Sequence, residues 1–199
     1  MKYPENIQEV SVFCPDYMGF IFYGASARNV TDKQIVRNIK LENAAKKIGV
    51  FVDESIENIL KIVSYCALDG VQLHGHESVA ICDVLRNRGL MVLKAISIAS
   101  AADMKLSELY QPHVDLLVFD TKTPAYGGSG KQFDWALLNE YHGDTPFLLS
   151  GGISVEDAED ILKISHPKLV GVDINSRFEI SPGLKNVRLI ERFMSKVKR

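Results

Sequence analysis

The sequence predicts an α/β fold, one domain built as a parallel-stranded (β/α)8 barrel of the TIM type in which seven strands are recognisable. Three observations carry this expectation. Short, continuous apolar runs alternate with longer amphipathic stretches, as buried parallel strands alternate with covering helices. Polar or glycine-rich residues follow many of the runs, as on a barrel rim, instead of gathering at the single switch point of an open doubly wound sheet. The length of 199 residues, with 46% hydrophobic and 24% charged content, suits one compact domain.

The elements are expected in chain order. Pro4 suits a first helical turn, where its missing N–H costs little, so the chain opens on a helix at 5–12. The first strand is expected at 17–23 (YMGFIFY), and Thr31 or Asp32 can cap a helix over 35–39. A strand at 47–52 (KIGVFV) precedes a helix at 56–65, with Ser55 at its start. Strands at 70–73 (GVQL) and 91–96 (MVLKAI) flank a helix at 77–88, and a helix at 101–110 leads to a strand at 115–119 (DLLVF). After the strand at 147–149 (FLL), Ser154 with Asp157 three residues later opens a helix at 155–164. A strand at 169–174 (LVGVDI) and a helix at 184–198 close the chain; the seven helices named are most of the set, and the expected balance is eight helices against seven strands.

Composition narrows the partners. Net charge is -2 with Lys and Arg scattered, so no basic stripe suggests nucleic acid or an anionic membrane, and a small-molecule partner is expected. No apolar run approaches a membrane span, and the start of the chain lacks the apolar stretch of a signal peptide, which predicts a soluble, cytoplasmic protein. Cys14, Cys66 and Cys82 are odd in number, widely spaced and set in expected helical segments, which argues against a disulfide framework and a zinc site.

Two constellations carry chemistry. Ser150-Gly151-Gly152 and Asp173-Ile174-Asn175-Ser176 follow the last two strands, where glycine turns let backbone N–H groups approach an anion, so a phosphate is expected near Gly151, Gly152, Asn175 and Ser176. Asp120 ends another strand and leads into Tyr126-Gly127-Gly128-Ser129-Gly130-Lys131, an arrangement that reads as a general acid beside a water-excluding lid formed by Gly127, Gly128, Ser129 and Gly130. Taken alone, Asp120 as a cap or a lysine's partner, with the loop a solvated connection, is the reading that wins in most proteins.

Asp120-Thr121-Lys122-Thr123-Pro124 with the glycine-rich loop and Phe133-Asp134-Trp135, Gln72-Leu73-His74-Gly75, and Ser150-Gly151-Gly152 resemble, in order and spacing, the phosphoribosylanthranilate isomerase family of tryptophan biosynthesis. Met18-Gly19-Phe20-Ile21-Phe22 leading to Ser26-Ala27-Arg28, and Gly171-Val172-Asp173 leading to Glu179 and Pro182-Gly183-Leu184-Lys185, extend the resemblance over essentially the whole chain. It implies an Amadori rearrangement of N-(5-phosphoribosyl)anthranilate to 1-(2-carboxyphenylamino)-1-deoxyribulose 5-phosphate, without metal or organic cofactor. Asp120 would be the general acid, Arg28 would pair with the anthranilate carboxylate, and His74 and Asp173 would orient sugar hydroxyls.

The family's general base is a cysteine at the end of a first strand, and here Met1 takes the methionine position of that Cys-Gly-Met motif. The base would fall two positions before Met1, so residues 1–199 are expected to form an N-terminally incomplete barrel, impaired or inactive by itself, monomeric or homodimeric, with self-association across the gap as one compensation. Arg177 stands where the family often has glycine. Two other readings stay open: another sugar-phosphate barrel such as indole-glycerol-phosphate synthase, for which Lys94 is the candidate lysine, or a non-catalytic barrel that binds a phosphorylated ligand.

Overall fold

In the computed structural model, residues 1–122 and 132–197 are described. They form an α/β fold of seven parallel strands in sequence order: β1 Tyr17–Ile21, β2 Lys46–Phe51, β3 Gly70–Leu73, β4 Met91–Ile98, β5 Leu116–Thr121, β6 Phe147–Leu149 and β7 Leu169–Val172. β1 and β7 stand at the two ends of that order, and the amino nitrogen of Met1 donates to Gly19 O of β1 at 3.0 Å. Among the described residues no helix is long and apolar enough to cross a membrane.

Helices α1 Pro4–Ser11, α2 Lys33–Asn38, α3 Ile56–Cys66, α4 Val79–Arg86, α5 Ala101–Glu108, α6 Ala158–Lys163 and α7 Val187–Val197 alternate with the strands. Their starts follow side-chain chemistry. Asp32 accepts from Gln34 N, Ser55 accepts from Asn58 N, and Ser154 with Asp157 forms a reciprocal box before the 3-10 turn Val155–Asp157 that leads into α6.

The sheet has two apolar faces because successive strand residues point opposite ways. Outward residues such as Phe20, Phe51, Phe119, Phe147 and Leu149 meet the helices and are fully buried. Burying one such phenylalanine contributes about 1.5–3 kcal/mol. Phe119, Tyr141 and Phe147 pack with centroids 4.7–5.4 Å apart, a local aromatic knot under β5 and β6. Inward residues Ile48, Leu93, Ala95, Leu116, Val118 and Leu148 form a second, smaller cluster that fills the sheet's concave side.

Several expected elements need correction. Among the described residues there are seven α-helices rather than eight, and the stretch after β5 makes only the 3-10 turn Trp135–Glu140, opened by Asp134 accepting from Ala136 N. The last helix begins at Val187, not 184, because Leu184–Lys185 (β9) pairs antiparallel with Glu179–Ser181 (β8) in a ribbon turned by Pro182-Gly183. Residues 77 and 78 precede α4, since the Glu77 carboxylate is spent on loop amides. Cys14 is exposed in the turn between α1 and β1, at positive φ, and is not helical.

Candidate active site

The strand alternation that builds the inner apolar cluster also builds the site above it. On β5, Leu116 and Val118 face inward and Asp120 is next in the same parity; Leu148 is followed by Ser150, Gly171 by Asp173, and Gln72 by His74. Each polar residue thus caps an inward-facing column at a carboxyl end, where barrels of this kind place their chemistry.

These residues are wired together. The Gln72 amide bonds His74 Nδ1 at 2.9 Å, which in the amide orientation found leaves the neutral ring's proton on Nε2. His74 Nε2 lies 3.3 Å from Asp120 Oδ2, and Thr121 N donates to Asp120 Oδ1 at 2.7 Å. Ser150 Oγ donates to Asp173 Oδ2 at 3.0 Å, while Ser150 N and Asp173 N bond back to Phe119 O and Leu149 O. Burial, then the nearby negative charge of Asp120, push the Asp173 carboxyl above its ordinary range.

Gly151 makes this crowding possible. Its φ is +91°, and a Cβ there would stand 2.6 Å from Thr121 N and 2.7 Å from Asp120 Oδ1. Gly152 also has positive φ, and its carbonyl accepts from Gln132, which reaches on to Asp157. Ser176 opens the 3-10 turn Ser176–Phe178 beside it in sequence, Arg177 lies within that turn, and the Asn175 side chain is occupied by Lys185 Nζ at 2.6 Å. The lid residues Gly127, Gly128, Ser129 and Gly130 lie outside the described residues.

Arg28 is held from across the sheet. Its Nε and Nη2 donate to both Glu179 oxygens at 2.7–3.1 Å, and Gly183 N and Lys185 Nζ donate to Glu179 Oε1 at 3.0 and 3.2 Å. Burial alone would raise the Glu179 carboxyl, but the Arg28 hydrogen bonds and the Lys185 charge outweigh it and the group ends below its usual value. For Lys185 burial wins, and the ammonium is lowered despite Glu179. Sequence reasoning quoted Glu179 and Lys185 as motif members without a role; the charged pair flanking Pro182-Gly183 was the available signal.

Lys94 is not a site residue. It alternates with Leu93 and Ala95 and so faces the helices, where Nζ donates to Leu73 O, Gly75 O and Glu77 Oε2 at 2.7–3.1 Å. All its protons have acceptors, so Lys94 is not free to serve the lysine-based chemistry of the competing barrel. Cys66 and Cys82 pack in α3 and α4, and burial raises both thiols, Cys82 to about 11. Among the described residues, no three His, Cys, Asp or Glu side chains are grouped to hold a metal ion.

Against known proteins, the family described as N-(5'phosphoribosyl)anthranilate (PRA) isomerase matches residues 2–196. The N-(5'-phosphoribosyl)anthranilate isomerase of Parabacteroides distasonis is 44% identical over 201 residues, covering 99% of this chain and 90% of that one. The crystal structure of phosphoribosyl anthranilate isomerase from Thermotoga maritima superposes with TM-score 0.87 at 32% identity, covering 100% of this chain and 95% of the other. A phosphoribosyl anthranilate isomerase in complex with reduced 1-(o-carboxyphenylamino)-1-deoxyribulose 5-phosphate gives TM-score 0.83 at 28% identity, with the same coverage.

Proposed function

The chain belongs to the N-(5'-phosphoribosyl)anthranilate isomerase family, and from that premise we propose that Asp120 is the general acid of its Amadori rearrangement. The protein is an isomerase of tryptophan biosynthesis, converting N-(5-phosphoribosyl)anthranilate to 1-(2-carboxyphenylamino)-1-deoxyribulose 5-phosphate. The observation that supports Asp120 is its place: the one carboxyl that ends an inward column at β5 while keeping Oδ2 engaged only by His74 among the described residues.

In this reading Asp120 gives its proton to the ribose ring oxygen as the C1′–O bond breaks, leaving an open Schiff base. A base then takes the C2′ proton, and the enolamine so formed tautomerises to the ketose. His74 and Asp173 orient sugar hydroxyls, and Arg28 pairs with the anthranilate carboxylate. Backbone amides near Gly151, Gly152, Asn175 and Ser176 take the phosphate. By resemblance the base is a cysteine, a role that Cys66 and Cys82, buried in α3 and α4, are not placed to take. We assign the protein to the cytoplasm, as a monomer or homodimer acting on a small phosphorylated substrate, with no nucleic-acid partner.

In a catalytically active parent, Asp120→Asn is expected to lower kcat roughly a hundred- to ten-thousandfold and to keep its affinity for the reduced product analogue. A variant within about threefold of its parent, under roughly 1 kcal/mol of barrier, removes Asp120 from the role. Titration with the same analogue should shift the amide resonances of Gly151, Gly152 and Ser176; binding without those shifts places the phosphate elsewhere.

A further inference from the structure

Glu179 reaches Arg28 across 151 residues of chain, joining the loop after β1 to the ribbon β8–β9. The contact is side-on: Nε and Nη2 of Arg28 meet the two carboxylate oxygens, which leaves the Nη1–Nη2 edge without a hydrogen bond among the described residues. A guanidinium offers two edges that can each pair bidentately with a carboxylate. One is taken by protein, so the other has its direction set before any ligand arrives.

Glu179 is itself immobilised. Gly183 N and Lys185 Nζ hold Oε1, Lys185 Nζ also donates to Asn175 O and Oδ1 at 3.0 and 2.6 Å, and Asn6 clasps the Lys185 backbone through Lys185 N at 2.7 Å and Lys185 O at 2.9 Å. The side chains of Arg28 and Glu179 are 14% and 4% exposed, so the pair is shielded and its geometry is fixed by packing as well as by charge. Resting on the reading of Arg28 as the residue that takes the ligand's carboxylate, we propose that Glu179 is a positioning residue that turns the Nη1–Nη2 edge of Arg28 toward that carboxylate. Its contribution is preorganisation: the guanidinium does not have to be ordered at the moment of binding.

Such a role is separable from a simple staple between two loops by changing the ligand. Calorimetric titration of the parent and Glu179→Gln would use two probes, reduced 1-(o-carboxyphenylamino)-1-deoxyribulose 5-phosphate and the same molecule without its aryl carboxylate. The parent should bind the carboxylated probe more tightly. Glu179→Gln should lose on the order of ten- to hundredfold in affinity for that probe, the range for hydrogen bonds to charged groups, and leave affinity for the carboxylate-free probe unchanged. An equal loss for both probes overturns the positioning role and leaves Glu179 a staple. A parent that does not distinguish the probes overturns the reading of Arg28, and this inference with it. If Glu179→Gln does not fold, Glu179→Asp must show the same selective loss, and an equal loss for both probes again overturns the proposal.

Discussion

Two polar pairs of similar length sit on opposite faces of one sheet: Lys94–Glu77 at 3.1 Å and His74–Asp120 at 3.3 Å. The first is closed. Lys94 spends its protons on Leu73 O, Gly75 O and Glu77, Glu77 accepts from Asp53 N and Gly75 N, and the side chains are only 2% and 1% exposed. The second is open, with side chains 19% and 25% exposed and Asp120 receiving one backbone amide besides His74 among the described residues. A saturated pair fixes the loop that carries His74, whereas an unsaturated carboxyl can still exchange a proton with a ligand. The difference is one step of strand parity, which separates support from chemistry.

The comparison breaks most visibly at Lys94. Lys94→Met leaves Glu77 charged and buried without its partner, and removing one member of a buried pair costs about 3–5 kcal/mol. Denaturant unfolding should register that loss, while turnover per folded molecule stays close to the parent's. An unchanged midpoint would show that the pair supports nothing.

Gly151→Ala should act on the open face instead. The new methyl meets Thr121 and Asp120 at a backbone angle of φ +91°, so the acid must move, and a displacement of about 1 Å can cost roughly a hundredfold in rate. Gly89 has φ +78° and no neighbour within 4 Å, so Gly89→Ala carries the backbone strain alone and should leave turnover intact. Equal turnover losses at the two glycines would remove the contact with Asp120 from the account.

The smallest effect is in pH. Asp173 has a raised carboxyl, so the folded state holds its proton more tightly than the unfolded chain does, and the stability this contributes is lost as pH rises from the ordinary value of 3.8 through the raised one. Asp173→Asn removes that loss. Its stability relative to the parent should climb with pH over this window, by no more than about 1.4 kcal/mol per pH unit, and be level below it. A relative stability that falls with rising pH contradicts the raised carboxyl.

Much of this was legible in the sequence, and the reason is period. Strands at 70–73 and 147–149 fall where the apolar runs end, and Asp32, Ser55 and Ser154 start their helices because their oxygens reach orphan amides. The columns Leu116-Val118-Asp120, Leu148-Ser150 and Gly171-Asp173 also stand in the sequence, and reading them by parity separates Lys94 from the site without coordinates. The ribbon Glu179–Ser181 with Leu184–Lys185 was not legible, since strands of three and two residues show no alternation to detect. Nor was the Arg28–Glu179 pair, because nothing local links residues 151 apart. The 3-10 turn at Trp135–Glu140 was not legible either, since its Ala, Leu and Glu favour helix without setting an α-helix apart from a 3-10 turn.

The claim that the inner face carries the chemistry and the outer face the support is tested most directly by one paired measurement: kcat per folded molecule and unfolding free energy for Asp120→Asn and Lys94→Met, each against a catalytically active parent. The account predicts a crossover, with Asp120→Asn folded as stably as the parent but slowed at least a hundredfold, roughly the lower bound for lost general acid catalysis. Lys94→Met should be less stable by about 3–5 kcal/mol yet near full rate when folded. A stable Lys94→Met that is catalytically dead, beside an Asp120→Asn that keeps its rate, would contradict the account.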